Sequence, residues 1–250
     1  MTVDIFCCTY HRDVRWLEYM LRSVQKYARG FRQTVVVYPT KDAAVLDPIC
    51  ARFPFVKVCH FEEAADGHAH QNAIKTSCDE YSDAEYFFHM DSDCVFTSEA
   101  RPEDYMTDGK CDILFSPYSA LNNVPGGVPW QGITSAALGI PVHIETMRRF
   151  PFLYPSWLYR SVRNRIEALH KKPFVRYTLE APNIGAAFHG YSEFNALGCE
   201  AAYFHKDKFH LYDVNTSVKP GKVKQYWSHS GLTESEEQEL QGITGGWNET

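Results

Sequence analysis

The sequence predicts a single-domain α/β fold with a mostly parallel sheet and helices on both of its faces. Two observations carry that expectation. Short apolar runs rich in β-branched and aromatic residues alternate with segments of helical periodicity through the first half of the chain. The polar clusters follow two of these runs, at the carboxyl ends of strands, where parallel sheets bind ligands. The 250 residues suffice for one such domain with a sizeable core. A hydrophobic share of 44% against 22% charged suits a folded chain rather than a disordered one.

Residues 3–9 are a short apolar run ending in Thr9-Tyr10-His11-Arg12-Asp13, a buried first strand and its loop. Leu17, Met20, Leu21, Val24 and Tyr27 recur at helical spacing, which predicts a helix over 16–28. Residues 33–38, centred on Val35-Val36-Val37, form a second strand that Pro39 ends. A helix over 43–53, a strand over 55–61 and a helix over 72–81 follow. Residues 86–90 make a short aromatic strand running into Asp91-Ser92-Asp93, and 112–116 a further strand. In the second half, Pro125, Gly126, Gly127, Pro129 and Gly132 mark a long loop over 122–132. Helices are expected over 134–149 and 155–169, the latter with Pro155 near its start. Ser192 stands where it would cap a helix beginning at Glu193. Residues 203–212 read as extended and 233–240 as an acidic surface helix.

Several classes are disfavoured by composition. The net charge of −6 and pI near 6.0 come without a basic stripe, so no nucleic-acid partner is expected. No stretch approaches the roughly 18–20 apolar residues of a membrane span, so no transmembrane segment is expected. The chain enters its first strand without a basic, then apolar, leader, so no signal peptide is expected either, and the location expected is cytoplasmic. Eight cysteines occur without a C-x-x-C pair, and several sit in apolar runs. That favours free thiols over a zinc site or a disulfide framework.

Asp91-Ser92-Asp93 is the most informative stretch. Two carboxylates two residues apart, where a buried strand ends, offer hard oxygen ligands to a divalent cation such as Mn²⁺ or Mg²⁺. A surface turn is the alternative reading of D-x-D. The aromatic strand before it and Val95-Phe96 after it argue for a site.

With these residues the sequence resembles the GT-A glycosyltransferases, in particular family-2-like members and small bacterial and algal-virus domains. The likeness rests on residues 6–13, the helix over 16–28 and the D-x-D at 91–93, and is clear over about 3–96. It implies the Rossmann-like GT-A fold, a nucleoside diphosphate sugar donor (a UDP-sugar as the common case), a glycan or glycoconjugate acceptor, and Mn²⁺ or Mg²⁺. It divides the domain into a nucleotide-sugar half, 1–116, and an acceptor and catalytic half, 117–250. By resemblance, Thr9, Tyr10 and Arg12 line the nucleotide, while Gln71 and Lys75, on one helix face, lie under the donor. Asp91 and Ser92 would face the donor, with Asp91 and Asp93 holding the metal and Asp93 as main ligand. One departure concerns the base: residues 38–40 are Tyr-Pro-Thr where many family-2 enzymes carry an Asp that reads uracil, with Lys41-Asp42 just after.

Residues 191–198 resemble the acidic motif that carries the general base, which assigns that role to Glu193. An acidic residue in a first helical turn also complements the helix dipole without any catalytic part. The late histidine of GT-A metal sites corresponds best to His229, which a Ser and a Gly follow, with His205 and His210 as alternatives. Lys222 and Lys224 precede it. The loop 124–132 with Trp130, and the aromatic residues 150–159, are candidates for the acceptor surface. The function expected is metal-dependent sugar transfer to a hydroxyl, with inversion. The alternatives are retention, a sugar nucleotidyltransferase, and a non-catalytic nucleotide-sugar-binding domain. Residues 6–13 contain no Gly, against the Gly-rich early loop of nucleotidyltransferases.

Overall fold

The structure is a computed structural model describing residues 1–62, 67–124, 129–147, 150–181, 190–216, 221–228 and 231–245. The chain begins β1 (Val3–Cys8), α1 (Val14–Tyr27), β2 (Thr34–Pro39), α2 (Ala43–Cys50), β3 (Val56–Phe61), α3 (Gly67–Lys75), β4 (Tyr86–His89) and β5 (Cys94–Phe96). It continues through β6 (Met106–Thr107), β7 (Lys110–Pro117), α4 (Tyr118–Leu121), α5 (Gln131–Leu138), β8 (Ile144–Glu145), β9 (Phe152–Pro155) and α6 (Ser156–His170). Last come α7 (Phe174–Glu180), α8 (Glu193–Phe204), β10 (Phe209–Asp213), β11 (Val223–Gln225) and α9 (Glu234–Thr244).

The main sheet has the order β3-β2-β1-β4-β9. β1 pairs in parallel with β2 and β4, and β2 in parallel with β3, while β9 runs antiparallel at the edge. β1 and β2 are buried along their whole length, as suits parallel strands covered on both faces; Asp4, the charged residue within β1, is paired with Arg32 at 2.8 Å. From β1 to β3 the chain steps one way across the sheet; from β3 to β4 it steps back past β1. Right-handed crossovers then place α1 and α2 on one face and α3 on the other. The reversal makes the ends of β1 and β4 the switch point, the place where sheets of this kind bind ligands.

Smaller sheets complete the fold: β10-β7-β6 with β8 on β7, and β11 paired antiparallel with β5. One large core joins the strands to α1, α6 and α8. No helix among the described residues is long and apolar enough to cross a membrane.

Several expected elements differ in extent. The helix expected over 72–81 is α3, which starts at Gly67 and stops at Lys75. The helix expected over 134–149 ends at Leu138, because Gly139 takes a left-handed φ of 70° and closes it. Residues 203–204 belong to α8 rather than to the extended segment that follows. Ser192 does precede α8, but its side chain makes no capping hydrogen bond. The aromatic residues of 150–159 are largely core: Phe152, Tyr154 and Tyr159 are buried, and Phe152 stacks on Phe194 at 4.0 Å. Trp157, on α6, is the exposed member, with its ring 4.9 Å from that of His205. The loop over 122–132 lies partly outside the described residues.

Candidate active site

Parallel pairing of Phe6 with His89 brings the ends of β1 and β4 side by side, so Thr9 and Asp91 emerge together at the switch point. Three polar residues of α3 tie this point to the start of α8. Gln71 donates to the Cys8 carbonyl at 3.0 Å, and Asn72 to the Tyr191 carbonyl at 2.8 Å. One turn on, the Lys75 ammonium lies 2.7 Å from Asp91 Oδ1 and 3.3 Å from Glu193 Oε1. Gln71 and Lys75 thus share a face, as their i, i+4 spacing requires. Asn72 had no role in the sequence reading; its signal was adjacency to Gln71 on the same turn.

Lys75 and Glu193 are buried, whereas the side chain of Asp91 keeps 24% of its exposure. Burial works against the Lys75 charge, but Asp91 and Glu193 outweigh it and hold the ammonium's pKa above its ordinary value. Buried His89, by contrast, is pushed well below the usual imidazole range by burial and then by the Lys75 charge. Its Nε2 lies 2.7 Å from the Tyr159 hydroxyl, within the core.

Asp93 is held differently. It is 7% exposed, and its Oδ2 accepts the Ser228 N–H at 3.1 Å. Burial, and then the like charge of Asp91, push its carboxyl up to about 7, against the opposing pull of the Ser228 N–H and Lys75. A divalent cation would oppose both upward causes. Two carboxylates with positions left for phosphates and water fit the donor set of Mn²⁺ or Mg²⁺. Among the described residues, no group of three or more His, Cys, Asp or Glu is placed to hold a metal. His229, the expected third ligand, lies outside the described residues. His205 and His210 are engaged elsewhere: His205 lies beside Glu200 and Ser161, and His210 nearest Asp112, at 3.8 Å.

The remaining candidates divide into buried and open residues. Ser92 donates to Asp13 Oδ2 at 2.9 Å, which fixes the D-x-D loop to the loop after β1. Thr9 is buried, and its Oγ1 has no hydrogen-bond partner among the described residues; the same is true of Ser192 Oγ, beside Glu193. Tyr10 is half-buried, edge-on to His11, and Arg12 is exposed. Asp42 accepts from His11 N at 3.1 Å, and its Oδ1 lies 3.0 Å from His11 Nδ1. An acid from beyond β2 therefore reaches the loop after β1, three residues later than Pro39. Lys222 pairs with Asp104 at 2.7 Å, and Lys224 with Glu239. Trp130 is the half-buried residue preceding α5.

No family model matches the chain, and no curated protein matches it. Among solved structures, an active-site mutant of LgtC aligns over 96% of this chain and 95% of its own, with a TM-score of 0.52 and 13% identity. TarS of S. aureus aligns over 38% of this chain, at 20% identity and a TM-score of 0.30, and the match spans 28% of its length. Both are glycosyltransferases of the GT-A type. The LgtC likeness is one of fold: a mostly parallel central sheet with helices, in a single domain, as the sequence led us to expect.

Proposed function

We propose that this chain is a metal-dependent glycosyltransferase, moving a sugar from a nucleoside diphosphate sugar to a hydroxyl of a glycan or glycoconjugate. UDP-sugars are the first donors to test. The observation that carries the proposal is the convergence of Asp91, Asp93, Lys75 and Glu193 at the switch point of a sheet shared with LgtC. A solvated surface turn would not need a buried lysine beneath its first carboxylate.

Asp93 and Asp91 would hold Mn²⁺ or Mg²⁺, with Asp93 as main ligand. Such an ion, when bound, supplies Lewis-acid stabilisation of the diphosphate as it leaves. The Lys75 ammonium holds Asp91 in place, so that its more exposed edge is presented to the donor. Thr9 Oγ1, buried and without a partner among the described residues, is suited to bond a donor hydroxyl or ribose group. Tyr10 and Arg12 line the open side, where a base would stack. Glu193 is the candidate general base, taking the acceptor's proton as its oxygen attacks the anomeric carbon with inversion.

One observation favours a second reading of Glu193. Its side chain is 2% exposed and bonded to Lys75, which suits a residue that holds Lys75 against the donor sugar, with retention as the outcome. Proton NMR of the first-formed product decides between the two by its anomeric configuration. The function itself is tested by melting curves with UDP-, GDP- and CDP-sugars, with and without Mn²⁺. Stabilisation by one of them, dependent on metal and lost in Asp93→Ala, is expected. No stabilisation by any nucleotide sugar would remove the proposal.

A further inference from the structure

Beyond the site itself, two described C-terminal segments, 221–228 and 231–245, are each anchored on the first half of the chain. At one end β11 pairs with β5, bringing Gln225 opposite Cys94, the residue after Asp93. The next backbone N–H, that of Tyr226, donates to the Asp93 carbonyl at 2.9 Å, and that of Ser228 to its carboxylate. At the other end α9 lies along α1. Glu237 accepts from the Tyr19 hydroxyl at 3.0 Å and pairs with Arg15, and the Ile243 carbonyl accepts from Tyr27 at 3.0 Å. Between the anchors sits a small apolar cluster, separate from the main core, of Trp16, Tyr19, Val95, Tyr226 and Leu240. Leu240 is fully buried there, and the Tyr226 ring lies 5.6 Å from that of Trp16.

This cluster joins the two segments. Val95 stands two residues after Asp93, Tyr226 two before Ser228, and Leu240 on α9, so a shift of α9 is felt on both sides of the Asp93–Ser228 hydrogen bond. We propose that α9 is a positioning element. Docked on α1 through Glu237 and Leu240, it fixes Tyr226 and Ser228 against Asp93 and so sets the site's affinity for a divalent cation. The proposal rests on the metal reading of Asp91 and Asp93. Groups that orient a metal ligand from behind typically alter affinity by about 10- to 100-fold when lost.

The test uses the full chain, with Glu237→Ala and Leu240→Ala combined, and two readouts that need no turnover. Calorimetry with MnCl₂ alone is expected to give a dissociation constant about 10-fold weaker than wild type. Amide hydrogen exchange is expected to quicken at Tyr226 and Ser228 while Val36, in the main core, keeps its protection. A helix that only adds stability would leave the Mn²⁺ affinity of the folded protein unchanged. Faster exchange with unchanged affinity overturns the proposal, as does unchanged exchange at Ser228. A wild type that takes up no Mn²⁺ removes the metal reading itself; a wild type that binds, with variants that bind equally, removes only this inference. Should the double variant not fold, Glu237→Gln replaces it. That change removes one charge from a partly exposed pair, and about a twofold weakening is expected.

Discussion

Asp91 Oδ1 lies 2.7 Å from the buried Lys75 ammonium, whereas Asp93, two residues on, takes its hydrogen bond from the Ser228 backbone N–H at 3.1 Å. The first carboxylate shares a cation of the chain, the Lys75 ammonium, with Glu193. The second is buried beside the first and has its carboxyl pushed up to about 7. The first carboxylate has an ammonium partner within the chain, and the second has a backbone N–H and a like-charged neighbour. That asymmetry is what the proposed metal reading rests on, and substitutions on either side test it.

The largest effect is expected at Asp93. Asp93→Asn should cut transfer on the order of 10³-fold, since loss of a Lewis acid costs several kcal/mol of transition-state stabilisation. Metal-free stability should move the opposite way. Because the folded carboxyl is raised above its unfolded value, the folded wild type holds a proton that the unfolded chain releases. Wild-type stability is therefore full below the ordinary carboxylate range and falls as pH rises to about 7. Asp93→Asn should match wild type near pH 4 and exceed it at pH 8 in urea unfolding with a chelator. A variant less stable than wild type at pH 8 would undo the comparison.

Lys75 should show the reverse behaviour. Lys75→Met leaves Asp91 and Glu193 without their cation, and breaking a buried pair in this way costs about 3–5 kcal/mol. Adding Glu193→Gln should restore part of that loss, because a neutral amide no longer needs the missing charge. If Lys75→Met unfolds at the wild-type urea midpoint, the ion network is not what holds the crevice together. A smaller effect follows from the proton on Asp93. Mn²⁺ affinity should climb with pH and level off above about 7, with release of about one proton per ion near pH 6. Calorimetry in buffers of different ionisation enthalpy measures that proton directly.

How much of this was legible follows from which signals are local. β1, β2 and the helix between them were readable because β-branched runs and a 3.6-residue period are written in consecutive residues. Asp91 and Asp93 were readable for the same reason, as both lie just past an aromatic strand. The meeting of Lys75 with Glu193 across 118 residues was not written anywhere; it depended on the family likeness of two separate segments. β9 was missed because its four residues run directly into α6 and their aromatic character suited a surface as well as an edge strand. β11 has only Val-Lys-Gln to show, and one buried Leu240 does not reveal that an acidic helix docks. The early stop of α5 rested on the backbone angle of Gly139.

The smallest expected effect concerns Ser192. A serine preceding a helix ordinarily bonds an amide of the first turn, and replacing it by alanine costs about 1 kcal/mol. Here the hydroxyl is buried, makes no cap and has no partner among the described residues, so the ordinary sign should reverse. An unpaired polar atom in the interior carries a desolvation cost on the order of 1–3 kcal/mol, and alanine removes it without opening a large cavity. Ser192→Ala should therefore leave the melting temperature unchanged or raise it, while Lys75→Met lowers it. A fall in the Ser192→Ala melting temperature would mean that the hydroxyl does cap α8, and that the start of α8 is as fully satisfied as the ion network beside it.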